Sequence, residues 1–272
     1  MTTKESSSRA RRTPKKRPAQ AAAVTPSPCK RPKKEDNALK RKDVAFFMCR
    51  FRHCQRARDP AIKKDFPAEQ EIMLKLRQLA FKSDNNKKQE KSSCSELRDF
   101  IKAYGVERNF RGMTADNVLP LLPIVKHIQT LNSSGEKLDA TVDPDSVIRE
   151  VDALADLCKK EGFARNLSFA SKALNMLGHV VPIYSSECKE YLDINVSSYG
   201  RYLAEWMQEY ERHRDVYENV SKRMTRDQGN ALETELGTIW FAVRGLDQTM
   251  CRVGAPKQVQ LLCPSCETLA SK

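Results

Sequence analysis

Residues 199–217 read YGRYLAEWMQEYERHRDVY, and this stretch decides the fold class. Tyr199, Tyr202, Trp206, Tyr210, His213 and Tyr217 fall three or four positions apart, so they share one face of a helix, and most of the positions between them are polar or charged. Ser197 or Ser198 stands where an N-cap belongs. After a break near Gly229, a second run places Leu232, Leu236, Ile239, Val243, Leu246 and Met250 at alternating gaps of four and three. Both stripes read as core seams. If the second were exposed, its spacing would match a coiled-coil seam and form a partner-binding face.

Working outward, the helical period continues and almost no strand alternation interrupts it. Arg165 to Leu177 is apolar on nearly all sides and is expected at the buried centre of the C-terminal half. Asp143-Pro144 is a cap followed by a first-turn proline, and Val147, Ile148, Val151, Leu154 and Cys158 then share a face. Residues 132–141 form a polar loop and are the expected subdomain boundary. Pro120 and Pro123 suit first-turn positions, which predicts a break near Leu119 and a helix to about Leu131. Ser95 to Tyr104 reads as a short helix closed by Gly105, the polar run 83–93 as a loop, and Ile72, Leu76, Leu79 and Ala80 as one helical face. Residues 43–58 mix Phe46, Phe47 and Phe51 with Arg50, Arg52, Arg56 and Arg58. This is a basic aromatic helix that docks phenylalanines on the core, and its arginines are candidates for stacking and phosphate contact with a nucleic acid. The predicted class is all-α, a multi-helix orthogonal bundle with subdomains at 43–132 and 143–254 and a flexible tail at 255–272.

The first 42 residues differ in kind. They hold 14 Lys or Arg against three acids, a net +11, while the other 230 residues carry only +2. They contain no aromatic residue and five of the 13 prolines. Such a segment buries too little apolar surface to offset the entropy of ordering it, so it is expected to be a disordered basic arm. Lys15, Lys16 and Arg17 form one cluster, and Lys30, Arg31, Lys33 and Lys34 form another, separated by Pro, Ala, Ser and Thr. That spacing resembles a bipartite nuclear import signal, which places the protein in the nucleus and makes an import carrier one expected partner. The same cations would hold phosphate through counterion release. The longest nearly apolar stretch, Val118 to Val125, contains two prolines and falls far short of a membrane span of roughly 18 residues. The N-terminus lacks the apolar run of a secretory signal. No membrane partner is expected.

Nine cysteines, an odd count without an export signal, favour a reducing compartment and free thiols. Cys263-Pro264-Ser265-Cys266 has the gap of a zinc knuckle, and Cys49, His53 and Cys54 could in principle complete it. Their distance in sequence argues for no structural metal, with Cys158, Cys188 and Cys251 as small core residues. No cofactor is implied: the chain has no glycine-rich phosphate loop, no paired-histidine zinc helix and no glycine-flanked nucleophilic serine.

One stretch carries a resemblance. Residues 167–192, LSFASKALNMLGHVVPIYSSECKEYL, and the downstream run Trp240 to Asp247 resemble the middle and closing helix of all-helical proteins related to the helix-hairpin-helix DNA glycosylase superfamily. The resemblance implies that Lys172 matches a lysine on an apolar helix and that Val181-Pro182-Ile183-Tyr184 matches a turn presenting an aspartate. Here Ser185 and Ser186 occupy the aspartate position, and Asp193 is the nearby acid that could substitute. A glycosylase needs a carboxylate to stabilise positive charge developing on the sugar, and its lysine must lose a proton to act as nucleophile. The expected function is therefore a non-catalytic nuclear protein that binds nucleic acid, DNA in preference to RNA. One alternative is a nuclear adaptor whose helical grooves bind another protein, and the other is a base-excision glycosylase or lyase using Lys172.

Overall fold

A computed structural model describes residues 69–82, 86–114, 117–228 and 231–254, together with Val44, Phe47 and Phe51. The described residues form eight α-helices: α1 (Glu69–Phe81), α2 (Lys87–Ala103), α3 (Leu122–Ser134), α4 (Pro144–Lys160), α5 (Leu167–Met176), α6 (Ser186–Tyr191), α7 (Tyr199–Gln228) and α8 (Ala231–Gly254). Among these residues no β-strand occurs, and no helix is long and apolar enough to cross a membrane. The protein is an all-α multi-helix bundle. The basic arm, the tail at 255–272 and the cysteines at 49, 54, 263 and 266 lie outside the described residues.

α8 is the axis of the packing. Trp240, Phe241, Ala242, Val243, Leu246 and Met250 are all buried, so this helix is enclosed on several sides and is more than a seam. It packs along α7 and across α6, α7 also meets α4, and α1 to α3 close around α5 and α4. Gly237 has φ 79, ψ 165, which breaks the helical path near its start. That geometry favours glycine, and the Leu236 carbonyl beside the break accepts a hydrogen bond from Lys137 Nζ at 3.2 Å. Further along, a Cβ on Gly245 would come within 2.5 Å of Val44 Cγ2, so Val44 packs against α8 where the helix carries no side chain. Phe47 and Phe51 of that segment are buried, with ring centroids 5.3–6.2 Å from Trp240 and Phe241. Docking of this predicted aromatic face on the core is thus observed for Phe47 and Phe51, with Val44 beside them.

The α7 stripe is buried along its whole length, and its polar atoms are accounted for. Tyr199 and Tyr202 donate to the carbonyls of Pro182 and Ile183 at 2.8 and 2.6 Å, and Tyr217 donates to Thr249 Oγ1 at 3.0 Å. Trp206 stacks on Tyr210 with centroids 5.3 Å apart. Asp143 and Asn166 cap α4 and α5 by accepting from Ser146 N–H and Phe169 N–H. Pro120 lies in a single 3₁₀ turn, Leu119–Leu121, and Pro123 lies in the first turn of α3. One expectation fails at α2. Residues 87–93 are helical because Asn86, inside the run expected to be a loop, is the N-cap and accepts from Lys88 N–H and Gln89 N–H.

The loop between α3 and α4 is tied to the turn after α5. Ala140 N–H donates to Val180 O and Val180 N–H donates to Leu138 O, both at 2.9 Å, which forms an isolated parallel bridge. His179 completes the tie by accepting Leu138 N–H on Nδ1 at 3.2 Å. The proton of the neutral ring therefore sits on Nε2, a buried atom without a partner. Burial, aided by Lys137, pushes the His179 imidazole down to about 4. The unfolded chain takes up this proton near pH 6.5 and the folded chain near pH 4, so His179 costs stability as pH falls through that window. His179→Gln should remove about 2–3 kcal/mol of the stability loss between pH 6.5 and 4.5, measured by urea unfolding at each pH. Parallel profiles for variant and wild type would contradict this assignment.

Candidate functional site

The chemistry-bearing side chains converge where α5, α6 and α8 meet the end of α2. Lys172 is the single charged residue of α5, and most of its neighbours on that helix are buried. Its Nζ donates to the Tyr104 carbonyl at 3.3 Å and lies 5.8 Å from the centre of the Tyr104 ring. Burial lowers the Lys172 amine below its ordinary value, and the charges of Cys251 and Glu187 act in the opposite direction.

The turn from α5 to α6 is held by side chains on both sides. Asn175 Nδ2 donates to Val181 O at 2.9 Å, and Ser171 Oγ accepts Tyr184 N–H at 3.0 Å. From α8, Asp247 Oδ2 accepts Ile183 N–H at 3.2 Å and Arg244 Nη1–H at 3.1 Å, while its Oδ1 accepts Trp206 Nε1–H at 3.0 Å. Asp247 is only 1% exposed. Burial pushes its carboxyl up to about 6, against the pull of the Arg244 guanidinium and the other donors. The turn then enters α6 through Ser185, whose hydroxyl accepts Cys188 N–H at 3.1 Å as the N-cap.

One acid that sequence reasoning missed acts electrostatically on Lys172. Glu187 lies in the first turn of α6, and its charge and that of Lys172 act on each other. Burial alone would raise the Glu187 carboxyl, but its own backbone N–H, the Ser185 and Ser186 hydroxyls and Lys172 outweigh it and hold the group below its ordinary value. Asp193, the acid offered as substitute, lies at the opposite end of α6 from Glu187. It is exposed just past the C-terminal end of α6, with φ 54, and its N–H donates to Glu190 O at 3.1 Å. The positions where the resemblance implies an aspartate hold Ser185 and Ser186, and Glu187 follows them. No local signal pointed to Tyr104 or Cys251, which reach the site only through the packing of α2 and α8.

The remaining candidates separate from this centre. Lys15, Lys16, Arg17, Lys30, Arg31, Lys33, Lys34, Arg50, Arg52, Arg56 and Arg58 lie outside the described residues. His127 pairs with Glu150 at 2.6 Å, and His213 pairs with Glu209 at 3.3 Å. Among the described residues no group of His, Cys, Asp and Glu could hold a metal ion. Compared with known protein families, curated proteins and solved structures, the chain matches none.

A half-buried amine with weakened basicity beside a carboxylate can attack a carbonyl carbon once it loses its proton. Its neutral fraction is set by burial and Arg244 against Cys251, Glu187 and Cys188. Glu187→Gln removes a charge that favours the ammonium, so acylation of Lys172 at neutral pH should rise about two- to fivefold relative to Lys159 and Lys160, read by competitive labelling and mass spectrometry. An unchanged ratio would show that the two charges do not interact.

Proposed function

We propose that the protein is a nuclear nucleic-acid-binding protein in which residues 1–42 supply the phosphate contacts and the helical unit carries out no reaction. The observation that carries this reading is the division of charge: +11 on 42 residues against +2 on the other 230. Fourteen cations in a proline-rich segment can follow a phosphate backbone and release its counterions without sequence preference. The paired clusters Lys15-Lys16-Arg17 and Lys30 to Lys34 serve import by the same residues, which makes a nuclear import carrier the second partner. The resemblance to helix-hairpin-helix DNA glycosylase-like proteins favours DNA over RNA. Against catalysis stands Ser185: a hydroxyl cannot supply the negative charge of the aspartate in that pattern, and this one is engaged as the cap of α6.

The second reading, base excision through Lys172, is favoured by one observation, the lowered amine beside Glu187. One experiment addresses both. Full-length protein is titrated onto duplex DNA across a range of salt, with and without an abasic site, and the abasic samples are stopped with borohydride. Replacing Lys15, Lys16, Arg17, Lys30, Arg31, Lys33 and Lys34 with Gln should flatten the slope of log affinity against log salt by ~0.9 for each cation that neutralises a phosphate. An unchanged slope would place the binding surface elsewhere, and no binding at low salt would favour a protein-binding adaptor. A covalent adduct at Lys172 would make the protein a lyase.

A further inference from the structure

Two of the thiols are placed for chemistry that neither reading uses. Cys188 sits in the first turn of α6, and Cys251 lies one turn beyond Asp247 on α8. The Ile183 N–H bond to Asp247 fastens the start of α6 to this part of α8, and the two helices pack together. The Cys188 and Cys251 side chains are hydrogen-bonded to each other. Cys188 is fully enclosed, whereas Cys251 is partly open to solvent. Both sulfurs act electrostatically on Lys172, and Arg244 acts on Cys251.

We propose that Cys188 and Cys251 are a modification site, a dithiol that hydroperoxides convert to a disulfide clamping α6 onto α8 beside Lys172. The two thiols have different roles. Cys251 is the thiol that solvent reaches, so a hydroperoxide meets it first, and Cys188, with Arg244, holds this thiol below its ordinary value against burial and Asp247. The Cys188 thiol is fully enclosed and is raised by its bond to Cys251 and by burial, so it is the second thiol to react. The Cys251 thiolate attacks the peroxide oxygen, the O–O bond breaks, and the departing alkoxide takes a proton to leave as an alcohol. Cys251 is then a sulfenic acid. The Cys188 sulfur attacks the Cys251 sulfur, the S–S bond forms, and the hydroxyl leaves as water with the Cys188 proton. Two thiols are thus oxidised by two electrons as one hydroperoxide is reduced to an alcohol and water. Cys158 provides an internal comparison: burial pushes its thiol up to about 12, and it should stay reduced.

Trypsin cuts the chain so that residues 173–189 and 245–252 each contain one cysteine, Cys188 and Cys251. Folded full-length protein is treated with tert-butyl hydroperoxide, remaining thiols are alkylated, and the digest is mapped. The expected product is the linked pair of these peptides, absent after reduction, with Cys158 alkylated. Closing the loop should raise Tm by about 5–10 °C. In Cys188→Ser, Cys251 should stop at a sulfenic acid trapped by a cyclic 1,3-dione. In Cys251→Ser, Cys188 should remain a thiol. Oxidation of wild-type Cys251 to a sulfinic acid without the linked peptide would overturn the proposal, as would a linked peptide that forms only after unfolding.

Discussion

The carboxylate of Asp247 is the interaction on which the rest of the described structure depends. It is buried in α8 and joins three parts of the chain: α8 itself through Arg244, α7 through Trp206, and the turn before α6 through the Ile183 amide. A buried carboxylate is costly unless its lone pairs are satisfied and a counter-charge lies near, and here three donors, one of them the Arg244 guanidinium, meet that requirement. Asn175, Ser171, Tyr199 and Tyr202 also hold the turn, but only Asp247 brings a charge to it from α8, and the position of α6 follows from the turn. Glu187 therefore reaches the charge field of Lys172, and Cys188 meets Cys251.

The folded unit uses much of its own charge internally. Arg165 is shared between Asp152 and Asp156, Arg77 pairs with Glu235, Lys126 with Glu90, Lys82 with Glu96, and Arg244 with Asp247. Most of these pairs are at least partly exposed and contribute little to stability. Their consequence is electrostatic: paired cations offer a weak field to a phosphate backbone. Most of the excess positive charge of the chain resides in residues 1–42, and the proposed division of labour between a binding segment and a helical unit rests on that distribution.

Much of the fold was legible in the sequence because its signals are local. The α7 stripe, Asp143-Pro144 at the start of α4 and the prolines around α3 are repeats or caps that sequence spacing reveals. The N-terminal half of α2 was missed because its sequence, KKQEKSS, is polar and its helix rests on the Asn86 cap and on Ser93 and Cys94 at its buried face. The site was legible only in part. Lys172 stood out as a charge on an apolar helix, but the groups that tune it come from Tyr104, Glu187 and Cys251 on three other parts of the chain. Asp247 was read as the end of a closing-helix motif, and its role as a buried acceptor arises only when α7 and the turn before α6 fold onto it.

Urea unfolding of full-length Asp247→Ala beside the wild type tests that account most directly. Removing the carboxylate leaves Arg244, Trp206 Nε1–H and Ile183 N–H without their shared acceptor, so the account predicts a loss of about 3–5 kcal/mol or failure to fold. A loss under about 1 kcal/mol would contradict it, because the turn and α6 would then be held in place without Asp247.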